Sequence, residues 1–530
     1  MSETQPTPSQ PRVIVVGAGI GGLTAGALLA QQGYSVLVVE QAYVPGGCAS
    51  TFKRRGFTFD VGATQVAGLE PGGIHQRIFQ QLGIEPPEAT PCDPACAVIL
   101  PDESEPINVW RDPEQWREER HRQFPGSERF WGLMEQLFQI SWRFQSRDPV
   151  LPPRNLWDIG QLLQAVRPDT LLTLPLALLT VGDALRFLGL ADNQRLRTFL
   201  DMQLKLYSQV RGEETALLYA ATALGVSQAP QGIYHLAGSM QVLSHCLVKA
   251  LRKYNGKLLL RHTVEKVHRE GERVTGVTIR EQKTRNVWTE AADQVVANVT
   301  VQNLRKLVNF PATPTPLPSR FFPPTSLLGS GGYQYRIDKL PAPQGAFVLY
   351  LGVTREAIPE NCPPHLQFLY DYEGEIGEQN SLFVSVSQPG DGRAPEGKAT
   401  ITASAFVDPR PWWQGTKAEY DQRKREYEEN AVAHLQSYFH LTPDTIIHQE
   451  AATPRTFARF TAREMGYVGG VGQRVFTFGP FGFGTRTPLE NLWLVGDSTH
   501  PGEGTAGVSY SALTAVRQLN QETGFLPPSD

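Results

Sequence analysis

The stretch that decides the fold runs from Arg12 to Glu40 and reads RVIVVGAGIGGLTAGALLAQQGYSVLVVE. Its first part, Arg12–Val16, is a short β-branched run typical of a buried parallel strand. Alanine and leucine recur at helical spacing over Leu23–Gln32, and Gly33 is placed to end that helix. Ser35–Val39 predicts a second strand. This order of strand, glycine turn, helix and strand is the start of a dinucleotide-binding fold.

The glycines of this stretch have the spacing GxGxxG, at Gly17, Gly19 and Gly22. The first makes a tight turn, the second lets the backbone approach a pyrophosphate, and the third lets the helix pack closely on the strand. Glu40 stands at the end of the second strand, where a carboxylate accepts a ribose 2′-hydroxyl. We therefore predict an α/β fold with a Rossmann-type domain of the glutathione-reductase-like kind.

The GxGxxG that directly follows a predicted strand lies near residue 1, and no second GxGxxG follows a strand directly. Because NAD enzymes also need a nicotinamide site, and often a second such motif, we expect the nucleotide to be FAD. Near the other end of the chain, Asp497 is a candidate ligand of the ribityl hydroxyls. The helix predicted from Thr505 to Asn520 would direct its N-terminus at the flavin pyrimidine ring. The predicted cofactor-binding residues are Gly17, Gly19, Ile20, Gly21, Gly22, Glu40, Gly46, Gly47, Gly62, Ala63, Val264, Gly496, Asp497, Gly507 and Val508.

Composition excludes several classes of protein. With 49 Lys+Arg against 53 Asp+Glu, the net charge of -4 disfavours a nucleic-acid-binding protein. Five cysteines, with no CxxC pair, predict neither a disulfide framework nor a metal site. Met1–Pro11 lacks the pattern of a signal peptide, and no run of 18 apolar residues predicts a membrane-spanning helix. We expect a protein on the cytoplasmic side.

The pattern of elements changes along the chain. Residues 70–235 show aromatic-rich helical patterns, such as Glu128–Phe144 and Asn193–Tyr207, and predict a mostly helical insertion. The proline-rich stretch Pro311–Pro324 interrupts a later region of strand-like runs. We predict a discontinuous FAD-binding domain and a mixed α+β domain that binds substrate and faces a membrane. The FAD-binding domain is predicted to comprise residues 1–70, 236–300 and 455–530. The substrate-binding domain is predicted to comprise residues 71–235 and 301–454.

These motifs together carry a resemblance. The chain resembles the flavin amine oxidase and phytoene desaturase superfamily nearly from end to end, and within it the carotenoid desaturases and carotene isomerases. The matching motifs are Gly17–Gly22, Glu40, Pro45-Gly46-Gly47, Gly56–Gly62 and Gly496–Gly502. Three stretches, 46–68, 108–113 and 502–508, are similar to the carotenoid C-3′,4′ desaturases in particular.

The resemblance implies a long polyene as substrate. It implies an FAD-dependent desaturase that introduces the C-3′,4′ double bond into a hydroxylated monocyclic carotenoid by hydride transfer to flavin N5. Quinone or oxygen would accept the electrons. The sequence has no catalytic triad or paired-carboxylate motif, so the catalytic residues stay unassigned. His500 and Glu503 are candidates because they are the titratable residues nearest the expected flavin in sequence.

A membrane surface is a second expected partner. The leucine-rich stretch Leu156–Leu190 carries few charges and would either line an apolar tunnel, dip into the bilayer interface, or form an ordinary helical core. Trp116, Trp131 and Trp142, with neighbouring arginines, are candidates for an interfacial aromatic belt. We therefore expect peripheral, monotopic attachment to a membrane.

Three alternatives remain open at this point. A carotene cis–trans isomerase of the same fold would use the same cofactor motifs. An amine oxidase would place an aromatic cage at the flavin, and Tyr510 is a candidate member of such a cage. A non-catalytic protein that binds prenyl lipids, like the prenyl-protein escort factors, would lack the flavin.

Overall fold

The computed structural model describes residues 10–101, 103, 105–310 and 330–525. It contains strands β1 to β19, which are, in chain order, Arg12–Val16, Ser35–Glu40, Thr51–Arg54, Phe57–Asp60, Ala89–Pro91, Cys96–Ile99, Ile107–Val109, Tyr234–Leu236, Lys257–Leu260, His262–Glu270, Arg273–Glu281, Val287–Ala291, Gln294–Ala297, Gly345–Thr354, His365–Leu369, Ser381–Val386, Lys398–Val407, Ile446–Ala452 and Leu492–Leu494.

Fifteen α-helices accompany these strands within the described residues. Helices α1 to α15 are, in chain order, Ile20–Gln31, Ile74–Leu82, Pro113–Gln123, Glu128–Gln145, Leu156–Ala165, Pro168–Leu172, Val181–Phe187, Gln194–Ser208, Leu217–Gly225, Gln241–Lys253, Val301–Leu307, Ser330–Asp338, Lys417–Leu435, Pro454–Thr461 and Thr505–Thr523.

A five-stranded parallel sheet of order β19-β13-β1-β2-β9 forms the nucleotide-binding part of the fold. Alternate residues of β1 point to opposite faces of the sheet, as in any strand. Val13 and Val15 pack into a core shared with α1, α10 and α15. Ile14 and Val16 pack on the other side, against the antiparallel sheet β10-β11-β12 and α11. Both faces of the parallel sheet are therefore covered.

A second, seven-stranded sheet has the order β18-β14-β17-β16-β15-β6-β7. All its neighbours are antiparallel except β15 and β6. Leu349, Ile401 and Val384 pack on one face beneath α13. On the other face, Val348 and Tyr350 pack against β4 of the hairpin β3-β4.

The observed mixed α/β fold with a Rossmann-like domain confirms the predicted fold class. The five parallel strands come from residues 12–40, 257–297 and 492–494, whereas the seven-stranded sheet uses residues 96–109 and 345–452. The domain boundaries given above stay a prediction. The region 70–235 is mostly helical, but it also contributes the short strands β5, β6 and β7, which the sequence analysis did not identify. The prolines of 311–324 and residues 1–9 lie outside the described residues.

The expected interfacial belt is wrong for two of its three tryptophans. Trp116 and Trp131 are 4% and 5% exposed and pack edge to face with centroids 5.7 Å apart. The Arg120 guanidinium lies 5.5 and 5.1 Å from their ring centroids. They fill the core of the helical region with Phe199 and Phe124, because a large ring gains more by burial than by partial exposure.

The third glycine of the motif provides a test of close helix packing. A Cβ on Gly22 in α1 would lie 2.1 Å from the carbonyl oxygen of Gly17, whereas a Cβ on Gly132 in α4 would meet nothing within 4 Å. We expect Gly22→Ala to lower the free energy of unfolding by about 2–3 kcal/mol. Gly132→Ala, the matched control, should leave it unchanged or raise it by up to about 1 kcal/mol. Urea denaturation measures both, and equal effects would contradict the packing described.

Candidate active site

The glycine turn after β1 brings the start of α1 to the edge of the parallel sheet. Gly17 has φ +95°, a conformation that side chains rarely adopt, and its N–H donates to the Val39 carbonyl at 2.8 Å. Helix α1 follows from Ile20, with Gly19 as its N-cap. The first N–H groups of a helix have no partner within it, so this turn can receive an anionic group.

Asn298, just after β13, lies at the centre of this glycine-rich edge. A Cβ on Gly19 would lie 2.7 Å from its Nδ2, and Cβ atoms on Gly21 and Gly496 would lie 2.9 and 3.0 Å from its Oδ1. The Asn298 N–H also donates to the Val16 carbonyl at 2.9 Å. Two distant segments, the glycine turn at the start of α1 and the segment after β19, thus approach one amide side chain. The sequence analysis missed Asn298, since a lone asparagine after a strand carries no motif.

Glu40 closes β2 beside the same turn. Its two carboxylate oxygens accept hydrogen bonds from the backbone N–H groups of Ala18 and Ala42, each at 2.7 Å. The side chain is buried, and burial raises the pKa of Glu40 above its ordinary value. Because each carboxylate oxygen has more than one lone pair, Glu40 can still accept from a ligand hydroxyl.

A second glycine pair crosses in front of the turn. Gly46, at φ +115°, donates its N–H to the Ala18 carbonyl at 2.8 Å, and Gly47 has φ +60°. Ala63, after β4, donates its N–H to the Cys48 carbonyl at 3.0 Å. These contacts bring the 46–48 and 62–63 segments together beside α1.

The C-terminal segment completes this edge of the sheet. Gly496 follows β19 with φ +111°, and Asp497 accepts a hydrogen bond from the Arg463 guanidinium. Arg463 also donates to the Gly469 carbonyl at 2.8 Å. Helix α15 begins at Thr505 and presents its first turn to the same space. Arg463 is a second residue that no sequence signal identified.

One cavity of about 660 Å³ collects these groups. That volume falls within the range of small-molecule sites. Of the predicted cofactor-binding residues, Gly22 packs against the strand and does not line the cavity. The others do: Gly17, Gly19, Ile20, Gly21, Glu40, Gly46, Gly47, Gly62, Ala63, Val264, Gly496, Asp497, Gly507 and Val508.

The two catalytic candidates lie in different places. Glu503 lines the cavity and accepts from Gln209 Nε2 at 3.0 and 2.9 Å, and burial raises the pKa of Glu503 to about 8. His500 is buried outside the cavity lining, with its Nε2 3.0 Å from Gln145 Nε2, and burial lowers its pKa to about 4. Glu503 is therefore the better placed to exchange a proton with a bound molecule. Its partner Gln209 was not predicted.

The rest of the cavity is mainly apolar and aromatic. Its wall continues from the glycine-lined edge to the seven-stranded sheet, which contributes Val348, Phe383 and Phe406. Further aromatic side chains come from helices α4, α8, α9, α14 and α15 and from the loop before β19: Trp142, Tyr207, Tyr219, Phe457, Phe460, Phe478 and Tyr510. Such a lining suits a long apolar molecule and excludes water from its neighbourhood.

Comparison with known proteins finds a domain family that matches part of the chain and relatives that match nearly all of it. Residues 15–82 match the family described as NAD(P)-binding Rossmann-like domain. Prolycopene isomerase 2, chloroplastic, of an Oncidium hybrid cultivar is 27% identical over 97% of this chain and 84% of that protein. The zeta-carotene-forming phytoene desaturase of Myxococcus xanthus is 26% identical over 96% of this chain and 93% of that protein.

Over almost its whole length the chain is similar to carotenoid isomerases and desaturases, at 24–27% identity. Among solved structures, cyclohexylamine oxidase from Brevibacterium oxydans superposes with a TM-score of 0.59 at 18% identity, over 97% of this chain and 100% of that one. That likeness shows a shared fold. The match to the Rossmann-like domain family and the glycine-lined edge with Glu40 both fit a bound dinucleotide.

Proposed function

We propose that the protein is an FAD-dependent carotenoid desaturase that introduces the C-3′,4′ double bond into a hydroxylated monocyclic carotenoid. The observation that carries this proposal is the cavity of about 660 Å³ that joins a dinucleotide-binding edge to an apolar, aromatic chamber. A polyene has few polar groups to recognise, so a long apolar lining is what its binding requires.

The described residues fit FAD along the glycine-lined edge. Glu40 would accept a ribose hydroxyl, and the first turn of α1 would face the pyrophosphate. Asp497 would bind ribityl hydroxyls, while the first turn of α15 would favour negative charge on the flavin pyrimidine ring. When bound, FAD supplies a two-electron acceptor for the hydrogen removed from carbon.

Glu503 is the residue that we propose handles the proton. Desaturation removes two hydrogens from the substrate, one as hydride and one as a proton, and the electrons pass finally to quinone or oxygen. The Glu503 carboxylate, fixed by Gln209, is positioned to accept the proton. Since its pKa is about 8, most of the group is protonated at neutral pH.

A carotene cis–trans isomerase is the second candidate. The matches to prolycopene isomerases, 24–27% identical over 97% of this chain, favour it. A protonated Glu503 would suit that reaction as a proton donor. The two reactions therefore use opposite states of the same carboxyl group.

Product mass distinguishes these two reactions. We would incubate flavin-loaded protein with a 1′-hydroxy monocyclic carotenoid and a quinone. A desaturase lowers the substrate mass by two hydrogens, and fragmentation places the new double bond. Unchanged mass with altered chromatographic retention indicates an isomerase. If neither change occurs with either quinone or oxygen, the proposed activity is wrong.

The pH dependence tests the role of Glu503. As a proton acceptor, Glu503 must be ionised, so turnover should rise as the pH passes through about 8. As the proton donor of an isomerase it must be protonated, and turnover should fall over the same range. Glu503→Gln should lower turnover about 100-fold and remove this dependence. The exposed Glu118→Gln on α3 is the control and should keep the parent profile.

We also propose that the protein attaches peripherally to a membrane. In the segment 156–187, apolar side chains face solvent, including Leu156 and Leu172 at 87% and 78% exposed and Phe187 at 94%. The other exposed members are Ile159, Leu163, Leu171, Leu174 and Leu178. An exposed apolar group of this size favours contact with lipid. Among the described residues, none of the helices has the length and hydrophobicity needed to cross a bilayer.

The exposed segment is joined to helices that line the cavity. Arg143 on α4 forms an ion pair with Asp169 at 3.0 Å, and Arg147 donates to the Ala165 carbonyl at 2.8 Å. The Leu217 N–H at the start of α9 donates to the Leu179 carbonyl at 2.9 Å. Trp142 of α4 and Tyr219 of α9 belong to the cavity wall. This arrangement supports passage of an apolar substrate from lipid into the cavity.

Vesicle flotation tests the attachment. We expect the protein to float with phospholipid vesicles at both low and high salt, because the contact is apolar. The double variant Leu172→Asp, Leu174→Asp should reduce the bound fraction at least fivefold. Val287→Asp on β12 changes an apolar side chain of similar exposure, 56%, outside the segment and should bind as the parent does. Equal flotation of both variants would contradict the proposed surface.

A further inference from the structure

A second, smaller cavity of about 70 Å³ adjoins the main one. Five residues line both cavities and form the boundary between them: Leu206, Ala346, Phe383, Ser404 and Phe406. A single water needs only about 10–15 Å³, so the smaller cavity has room for a polar end group. Nothing in the flavin site or in the proton transfer proposed above uses it.

Lys205 of α8 supplies the charge of the smaller cavity. It is 5% exposed, and its Nζ donates to the Ile376 carbonyl and lies 3.6 Å from Glu375 Oε1. An ammonium group has three N–H donors. These two groups are the partners that the described residues give it, so a donor remains for a ligand. A buried charge is costly unless its donors are used.

Two further polar residues line the same space. Gln367 is buried, donates its Nε2 to the Met202 carbonyl at 3.2 Å and accepts from Gln203. Ser381 Oγ accepts from the Gly377 N–H at 2.7 Å, which leaves its hydroxyl hydrogen available as a donor. The other walls are largely apolar. The cavity is therefore suited to an oxygen carried on a hydrocarbon.

The smaller cavity lies close to the proposed site of proton transfer. Lys205 precedes Gln209 by four residues, and α8 continues to Ser208. At 1.5 Å of rise per residue, four residues correspond to about 6 Å along the helix axis. Gln209 holds Glu503. An end group bound at Lys205 would thus place a bond a few carbons away beside Glu503.

We propose that the smaller cavity binds the oxygen of a polyene end group, with Lys205 as the residue that determines this specificity. This inference rests on the proposed function and deepens it. Because a polyene is a stiff rod, fixing its oxygenated end determines which carbon–carbon bond reaches the reacting position. A hydrocarbon end would leave the Lys205 donor unpaired, and such a loss discriminates strongly between substrates.

Binding of two matched ligands tests the inference without turnover. The ligands are a 1′-hydroxy carotenoid and the same carotenoid without the hydroxyl group, titrated into flavin-loaded protein and followed by quenching of tryptophan fluorescence. We expect the parent protein to bind the hydroxylated ligand at least tenfold more tightly. Lys205→Met should remove this preference and leave binding of the hydrocarbon within about twofold of the parent.

Two controls keep the outcome interpretable. Glu375→Gln removes the negative charge beside Lys205 but leaves the Lys205 ammonium group in place, and should retain the preference. Thermal melting reports whether Lys205→Met is folded. The preference for the hydroxylated ligand is measured on the parent protein alone, so this part of the test does not depend on any variant. Equal affinity of the parent for both ligands, or equal weakening of both by Lys205→Met, would overturn the inference. If the protein prefers the hydroxylated ligand but changes neither the mass nor the chromatographic retention of the carotenoid, the proposed reaction is wrong and the binding site stands. If the protein binds neither polyene, the proposed function is wrong.

Discussion

The site depends on how closely two distant backbone segments approach the side chain of Asn298. The turn after β1, which leads directly into α1, and the segment after β19 come so near that a Cβ at Gly19, Gly21 or Gly496 would lie within 3.0 Å of the amide. Close approach of this kind requires glycine at each position. It also fixes the ends of β1, β13 and β19 at one edge of the sheet, where parallel strands of an α/β fold place their ligands.

Two kinds of chemistry meet in the cavity that this edge opens. On one side are backbone groups, Glu40 and Asp497, which can bind a polar dinucleotide; on the other are aromatic and aliphatic side chains from α9 and the seven-stranded sheet. The ionisable Glu503 lies at the cavity wall, held by Gln209. Because burial raises its pKa to about 8, the Glu503 carboxyl group is largely protonated at neutral pH. Such a group suits proton transfer better than ion pairing.

Local sequence signals predicted the parts of the fold whose pattern is local. β1 has the predicted bounds, Arg12–Val16, and the glycine motif and Glu40 lie where their spacing indicated. The strands β5 to β7 were missed because three or four residues are too few to show an alternating pattern. Asn298 and Arg463 were missed because their roles arise from contacts between distant segments. The same holds for Trp116 and Trp131, whose burial follows from tertiary packing and not from helical spacing.

The most direct test of the account is the identity and amount of cofactor released from the purified protein. Denaturation followed by chromatography should give FAD in near-stoichiometric amount, and the double variant Glu40→Ala, Asp497→Ala should be colourless while remaining folded by circular dichroism. Absence of flavin even after reconstitution with FAD would contradict the account. So would full retention of flavin by the double variant, since the cofactor would then lie elsewhere.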